Sequence, residues 1–279
     1  MSELHDRITP KSVISLVSYD AEYLPASISS YYPYVDEIIL GLDKDRISWS
    51  GNKFTFDEGK LWKELKAIDT ESKISLIEDN FHQSKVAIEN DNYERNFLKN
   101  HCTHDWIFSI DADEELIDAK RFFYNWCPLV APYRKQVDIS FTWFLPFKEF
   151  ENEYLVIANP DNRWFKGDTQ GFATTKDKTF TYCRWTENKR VIHSPLAVIH
   201  WSFCRTAQNL ETKLQNFGHS DKTAGDPFYH NWSITNLSNY QNLTNFKTSG
   251  YGANQWPKLV AVPKPQFRQA AKMEAGLVY

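Results

Sequence analysis

Residues 105–116, DWIFSIDADEEL, run an apolar segment straight into four carboxylates, Asp111, Asp113, Glu114 and Glu115. Carboxylates held within a few ångströms repel one another unless a proton or a cation stands between them. A hard divalent ion meets that need, because it takes oxygen donors and shares them with substrate phosphates. At the end of a buried strand, such an ion implies a bound diphosphate whose charge it neutralises. Two other acidic chemistries fail on the letters. An EF-hand loop needs Asp-x-Asp-x-Asp/Asn-Gly, and Glu115 and Leu116 stand in its last two places. A phosphatase working through an aspartyl phosphate needs a Gly and a Thr close behind, and neither follows. Asp111 and Asp113 therefore carry the expectation, with Glu114 a possible third. Glu115 reads as the start of a helix, where a carboxylate meets the positive end of the dipole.

Positioning such a cluster requires strands that end in one place. The first 120 residues alternate apolar, β-branched runs with amphipathic ones. Strands are expected over 12–19, 36–43, 73–81 and 105–111, and helices from Leu24 past Tyr31, over 57–71 and over 85–102. This alternation predicts a three-layer α/β fold with a mostly parallel sheet. Ligands of open sheets bind outside the carboxyl ends of the strands, where Asp43 and the Asp111–Glu115 cluster both fall. Beyond residue 120 the runs 136–147, 179–187 and 194–203 suggest a mixed or antiparallel region. A helix over 206–218 closes on Gly218 as its expected C-cap. From about 224 the chain is rich in Asn, Gly and Pro, and irregular structure or a mobile tail is expected. These shifts divide the chain into an α/β half at 1–120, a second region of the same domain at 121–223 and an irregular extension at 224–279.

Five segments in order resemble GT-A fold glycosyltransferases, in particular the family 2-like group. WIFSIDADEEL resembles that family's strand and Asp-x-Asp motif. VISLVSYDAEYLPASISS resembles its first strand and helix, with Asp20 where Asn is usual. EIILGLD resembles its second strand, although KDRIS replaces the usual Asp-Gly-Ser-Thr behind it. NYERNFLKNHCTHDWI resembles the helix bearing Ala-Arg-Asn, which aligns Arg95 and Asn96. VIHWSFCRTAQNLETKLQNFGHS resembles the late segment whose His closes a metal site, with a Lys and a His on the next helix.

The resemblance, over residues 12–220, implies a GT-A type α/β/α fold with a Rossmann-like sheet, in which 1–120 would bind the nucleotide-sugar and 121–223 the acceptor. It implies a metal-dependent transfer of a sugar from a nucleotide-diphosphate donor, UDP-sugar favoured, to an acceptor hydroxyl, with inversion the expected outcome. Mn²⁺ or Mg²⁺ would be held by Asp113 and His200, with Asp111 on the metal or the donor ribose. Asp43, Asp20 and the backbone near Ser18 and Tyr19 would hold base and ribose. Arg95 would stand near the donor, and Lys213 or His219 on the diphosphate. An inverting transfer needs a carboxylate base. Asp161, Asp168 and Glu187 are the candidates, with Glu187 preferred for its distance before His200. The other classes to separate are a nucleotidyltransferase or other diphosphate-sugar enzyme and a non-catalytic carbohydrate-binding protein. SYDAEYLP lacks the Gly-rich, Lys-containing loop of the first, and the second needs no carboxylates at strand ends.

Composition narrows the partners. Aromatic residues make up 15% of the 279, ten of them Trp, which suits stacking on sugar rings or bases as well as core filling. Trp143, Phe144, Trp164, Phe165, Trp185 and Trp201 fall in the acceptor region and are expected to supply a platform there. The net charge of −4 disfavours non-specific nucleic-acid binding, so a glycan or protein acceptor is favoured over a modified nucleic-acid base. Four cysteines without C-x-x-C spacing indicate free thiols. No signal-like or membrane-spanning run is present, so a cytoplasmic protein is expected, with the sequons at Asn231, Asn236 and Asn242 unmodified.

Overall fold

The computed structural model describes residues 9–158, 168–220, 227–243 and 258–277. Strand β1 (Lys11–Val17) is buried along its whole length, as a strand covered on both faces must be. It is followed by α1 (Leu24–Tyr31), β2 (Glu37–Asp43), α2 (Glu58–Ile68), β3 (Ile74–Asp79), α3 (Ala87–His101) and β4 (Trp106–Ser109). The expected elements of this half are all present, each with ends within a few residues of those read from periodicity. Local chemistry sets the ends. Asp57 caps α2 by accepting the Lys60 N–H at 2.9 Å, which satisfies one of the helix's free donors.

Strands β5 (Glu114–Ile117), β6 (Asp138–Phe144), β9 (Asp168–Thr175) and β12 (Val191–His200) complete an eight-stranded sheet in the order β3-β2-β1-β4-β9-β6-β12-β5. Pairs β1–β2, β2–β3, β1–β4 and β6–β12 are parallel, while β4–β9, β6–β9 and β5–β12 are antiparallel. Val13, Ile38, Leu40 and Phe108 pack beneath α1 and α2, while Ile14, Leu16, Ile39 and Ile107 face Leu98 and Cys102 at the end of α3. This is the expected three-layer, Rossmann-like α/β/α architecture, with a mostly parallel sheet and a mixed region beyond it.

Outside the main sheet, β7 (Pro146–Glu149) and β8 (Glu153–Ala158) pair antiparallel, and β10 (Phe180–Tyr182) and β11 (Trp185–Thr186) form a short hairpin. Helix α4 (Ala207–Asn216) follows β12, then α5 (Phe228–Ile234), β13 (Lys258–Pro263) and α6 (Lys264–Leu277).

Five expectations are corrected. Glu115 starts no helix: it lies in β5, whose residues pair with the end of β12. The run 136–147 is two strands in two sheets, because Pro146 cannot donate to the first ladder. The run 179–187 is a hairpin turned at Cys183, which takes φ +51°. The described part of the C-terminal extension is regular: β13 pairs with β8, and α6 packs Phe267, Ala271 and Ala275 on Ile199 and Val262. Gly218 is not the cap of α4 either, since Phe217 ends that helix in an extended conformation. No helix among the described residues is long and apolar enough to cross a membrane.

Candidate active site

The order β2-β1-β4 places a topological switch at β1, and a cleft of about 260 Å³ opens at the carboxyl ends of β1 and β4. Leu16, Ser18, Tyr19 and Asp20 form one wall, Asp111 to Asp113 the floor, and Trp143, Gln170, Trp185 and His200 the opposite wall. Lys213, Gly218 and His219 close it from the α4 side.

The acidic motif is a tight turn and then a strand. The Asp111 N–H donates to Glu114 Oε2 at 2.9 Å, and the Glu114 N–H donates to the Asp111 carbonyl at 3.1 Å. β5 then pairs Glu114 with His200, and the Trp201 N–H donates to the Asp113 carbonyl at 2.9 Å. That pairing brings a residue 87 positions downstream beside Asp113: His200 Nε2 lies 3.3 Å from Asp113 Oδ1. The imidazole lies 4.3 Å, centroid to centroid, from the Trp143 indole.

Each carboxylate is met by a cation. Asp113 Oδ2 accepts from Lys213 Nζ at 2.6 Å and from Arg205, whose guanidinium also donates to Asp20 at 3.1 Å. Asp111 pairs with Arg95 at 2.8 Å and faces Arg184 at 3.8 Å. Arg95 is braced by Asp91 one turn earlier on α3 and donates to Ser109. Arg184 grips Glu114 with two bonds of 2.7 Å and stacks on Trp143, whose indole N–H donates to the same carboxylate. Burial opposes ionisation of Asp113, yet Lys213, His200 and Arg205 hold its pKa well below the usual carboxylate range. For Asp111 burial is likewise overridden, by Arg95 and Arg184, which hold it at about 2. Asp91 goes the other way: its burial outweighs the attraction of Arg95 and raises it.

The expected metal set is only partly assembled. Asp113 Oδ1 and His200 Nε2 both face the cleft at a spacing near the roughly 3 Å between neighbouring donors on one octahedral ion. Asp111 is turned onto arginines, and no group of three His, Cys, Asp or Glu donors converges among the described residues. One carboxylate oxygen and one imidazole nitrogen are what the described residues offer an ion there, and the other oxygen of Asp113 is taken by Lys213 and Arg205.

Other expected residues divide. Ser18, Tyr19, Asp20, Arg95, Lys213 and His219 line the cleft. Asp43 is spent on backbone: Oδ1 accepts the N–H groups of Asp45 and Ile47 at 3.0 Å each, and Oδ2 that of Phe81 at 2.9 Å. Glu187 is exposed and its charge is felt by Lys99, which binds the carbonyls of Lys176 and Lys178 behind the sheet. The cleft does not include it. Asp161, Trp164 and Phe165 lie outside the described residues, and of Asp168 only the backbone is described, paired with Trp143. Among the aromatics, Trp143 and Trp185 face the cleft, whereas Phe144 is core and Trp201 packs on Tyr154 and Phe267.

Sequence reasoning missed Arg184, Arg205 and Trp49. The two arginines did leave a signal. CRW and FCR set an arginine among residues that are usually buried, and buried arginines require anionic partners.

No family model and no curated protein matches this chain. Solved structures similar to it include S. aureus TarS 1–349 (TM-score 0.38, 8% identity, 82% of this chain and 76% of that one). The UDP complex of TarS 1–349 is similar at TM-score 0.33 and 9% identity, over 56% of this chain and 40% of that one. Mannose-1-phosphate geranyltransferase from Thermus thermophilus follows at TM-score 0.31 and 9% identity, over 60% of this chain and 58% of that one. The matched part of this chain thus spans less than half of the TarS chain in the UDP complex and under two thirds of the geranyltransferase. At such scores the likeness is loose, and the fold rests on the strand order itself.

Proposed function

We propose that this chain is a glycosyltransferase that moves a sugar from a nucleoside diphosphate donor, a UDP-sugar by preference, to an acceptor hydroxyl. The observation that supports it most is the meeting, at the switch of the sheet, of buried cations with flat aromatic faces. Arg95, Arg184, Lys213 and His219 suit a diphosphate, while Trp49, Trp143, Tyr182 and Trp185 in the same cleft suit a base and a sugar ring. A sugar-binding module would have no use for this much buried charge at strand ends.

Each part follows from the chemistry of the cleft. Nucleoside binding falls to the Ser18–Asp20 wall. Diphosphate charge, which grows as the sugar–oxygen bond breaks, is met by Lys213 and by the arginines, already fixed in place by their carboxylates. A divalent ion, Mn²⁺ or Mg²⁺, on Asp113 and His200 would add Lewis-acid stabilisation of that leaving group. Trp143 and Trp185 present rings to the sugar and the acceptor. For the base, Glu187 lies outside the cleft, which leaves Asp161 and Asp168 as the candidates between the Asp-x-Asp motif and His200. The turn after β1 holds Asp20 and Tyr23 and no glycine, so nothing favours a nucleotidyltransferase.

Titration calorimetry with UDP, GDP, CDP and ADP, with and without Mn²⁺, tests the reading, followed by donor hydrolysis across a nucleotide-sugar panel. Micromolar binding of one nucleotide and turnover of its sugar is expected. A protein that binds none of the four would refute it.

A further inference from the structure

We propose that Glu94, and not Asp43, is the side chain that contacts the nucleobase edge of the donor. The inference deepens the nucleotide-sugar reading above and rests on it.

Glu94 stands on α3 at the inner end of the cleft. A corner of about 20 Å³ there is lined by Glu94, Asp43, Ser48, Phe54 and Asn216, and it shares Leu16, Ser18, Tyr19 and Trp49 with the main cleft. The corner has room for the heteroatoms of a base edge but not for a ring. The ring therefore belongs in the main cleft along the shared wall, with only its edge reaching inward. Two carboxyl groups face that corner, and they differ in what is left to offer. Both oxygens of Asp43 are taken by three backbone N–H groups that shape the loop after β2 and the turn after β3. Glu94 accepts one hydrogen bond from the described residues, from the Trp49 indole N–H to Oε2 at 2.7 Å. Its Oε1 lies over Gly41, where a Cβ would come within 2.6 Å of it. The absence of a side chain at 41 is what lets this carboxyl sit at the strand end.

The charge state fits a base edge. Burial raises the Glu94 pKa to about 8, and the Trp49 hydrogen bond offsets little of that. Asp91 on α3 and Asp43 on β2 raise it further, while Arg95 opposes them. Arg95 is committed to Asp91 and Asp111, and no cation lies within ion-pair distance of Glu94 among the described residues. At neutral pH Glu94 is therefore mostly the acid, one O–H donor beside one acceptor. That pair matches the adjacent N–H and C=O of the uracil imide.

Binding of UDP and of inorganic pyrophosphate to wild type, Glu94→Gln and Glu94→Ala at pH 6.5 and pH 9 tests this. Gln keeps one donor and one acceptor at every pH. Wild type should lose about tenfold in UDP affinity between the two pH values, the equivalent of one good hydrogen bond. Glu94→Gln should hold wild-type affinity at pH 6.5 and keep it at pH 9, and Glu94→Ala should be about tenfold weaker at both. Pyrophosphate, having no base, should bind all three alike. UDP affinity unchanged in Glu94→Ala would overturn the assignment, as would pyrophosphate affinity falling in step with that of UDP. Binding of UDP by none of the proteins would bring down the nucleotide-sugar reading, and this one with it.

Discussion

The cleft is built from two unlike halves. On one side stand β1, β2 and β4, parallel strands that deliver Asp20, Asp111 and, through the turn, Asp113. On the other stand β12, the β10–β11 hairpin and α4, which deliver His200, Arg184 and Lys213, with Arg205 between β12 and α4. The first half supplies the anions, and the second supplies His200 and three of the four Arg and Lys side chains around them. Only Arg95 breaks the division. The motif that draws attention in the sequence is thus half of a device. Its charge is set by residues that a search for acidic motifs does not touch.

Cutting the bond between the halves should have the largest effect. Asp113→Ala leaves Arg205 and Lys213 buried without their shared partner, and breaking such pairs costs about 3–5 kcal/mol. Donor turnover should fall at least 100-fold, on the order of losing one preorganised electrostatic group. A thermal melt together with a donor-hydrolysis assay checks both. Unchanged turnover would remove Asp113 from the site. The carboxylate also dates the loss of stability in acid. Because its folded pKa is depressed, its contribution is present above about pH 4 and fades as pH falls through that depressed value. Asp113→Asn should therefore show a flatter stability profile below pH 4.

A smaller effect is expected at the buried Arg184–Glu114 pair. Arg184→Met strands Glu114, which has no exposed surface, and should cost about 3 kcal/mol. Adding Glu114→Met should restore most of that, because replacing both ions with apolar groups of similar size is often neutral. Chemical denaturation of the two single variants and the double variant measures the coupling. If the double variant were as unstable as the sum of the singles, Arg184 would be holding the turn through something other than Glu114.

These two pairs also show how far the sequence could be read. Strand–helix alternation located β1 to β4 and the helices between them, since β1, β2 and β4 are buried almost throughout and their apolar runs are undisturbed. Asp113 and His200 were matched by resemblance, and β5 pairing with β12 is what joins them. That pairing itself was hidden. Residues 114–117 carry two charges in four positions and look like a helix start, because the buried arginine that Glu114 faces stands 70 positions away in the sequence. Asp43 stands at a strand end, as a ligand would, but its oxygens are claimed by backbone N–H groups from residues as distant as Phe81. A glutamate on a helix is ordinarily solvated, so nothing in the sequence marks Glu94 as buried.

Glu94 separates the halves by pH. Its folded pKa is raised to about 8, so the stability linked to its proton is complete below the unfolded value, about 4.3, and is lost as pH rises toward 8. This runs opposite to Asp113, whose contribution is lost on acidification. In Glu94→Gln the decline in melting temperature between pH 5 and pH 9 should shrink, while behaviour below pH 4 stays that of wild type. Identical profiles for the two proteins would mean that Glu94 is ionised in the folded state.

The smallest effect should come from the residue next to Glu114. Glu115 points to the opposite face of β5, as alternation along a strand requires, and meets Arg268 on α6, a side chain 58% exposed. Arg268 is largely solvated, which screens the pair, so Arg268→Ala should cost less than about 1 kcal/mol and leave turnover unchanged. The two glutamates have the same side chain and adjoining backbone, and differ only in the face they occupy. A loss at Glu115 as large as that at Glu114 would mean that α6 supports the cleft from behind. A loss within a few tenths of a kcal/mol would confine the electrostatics of the site to the inner face of β5.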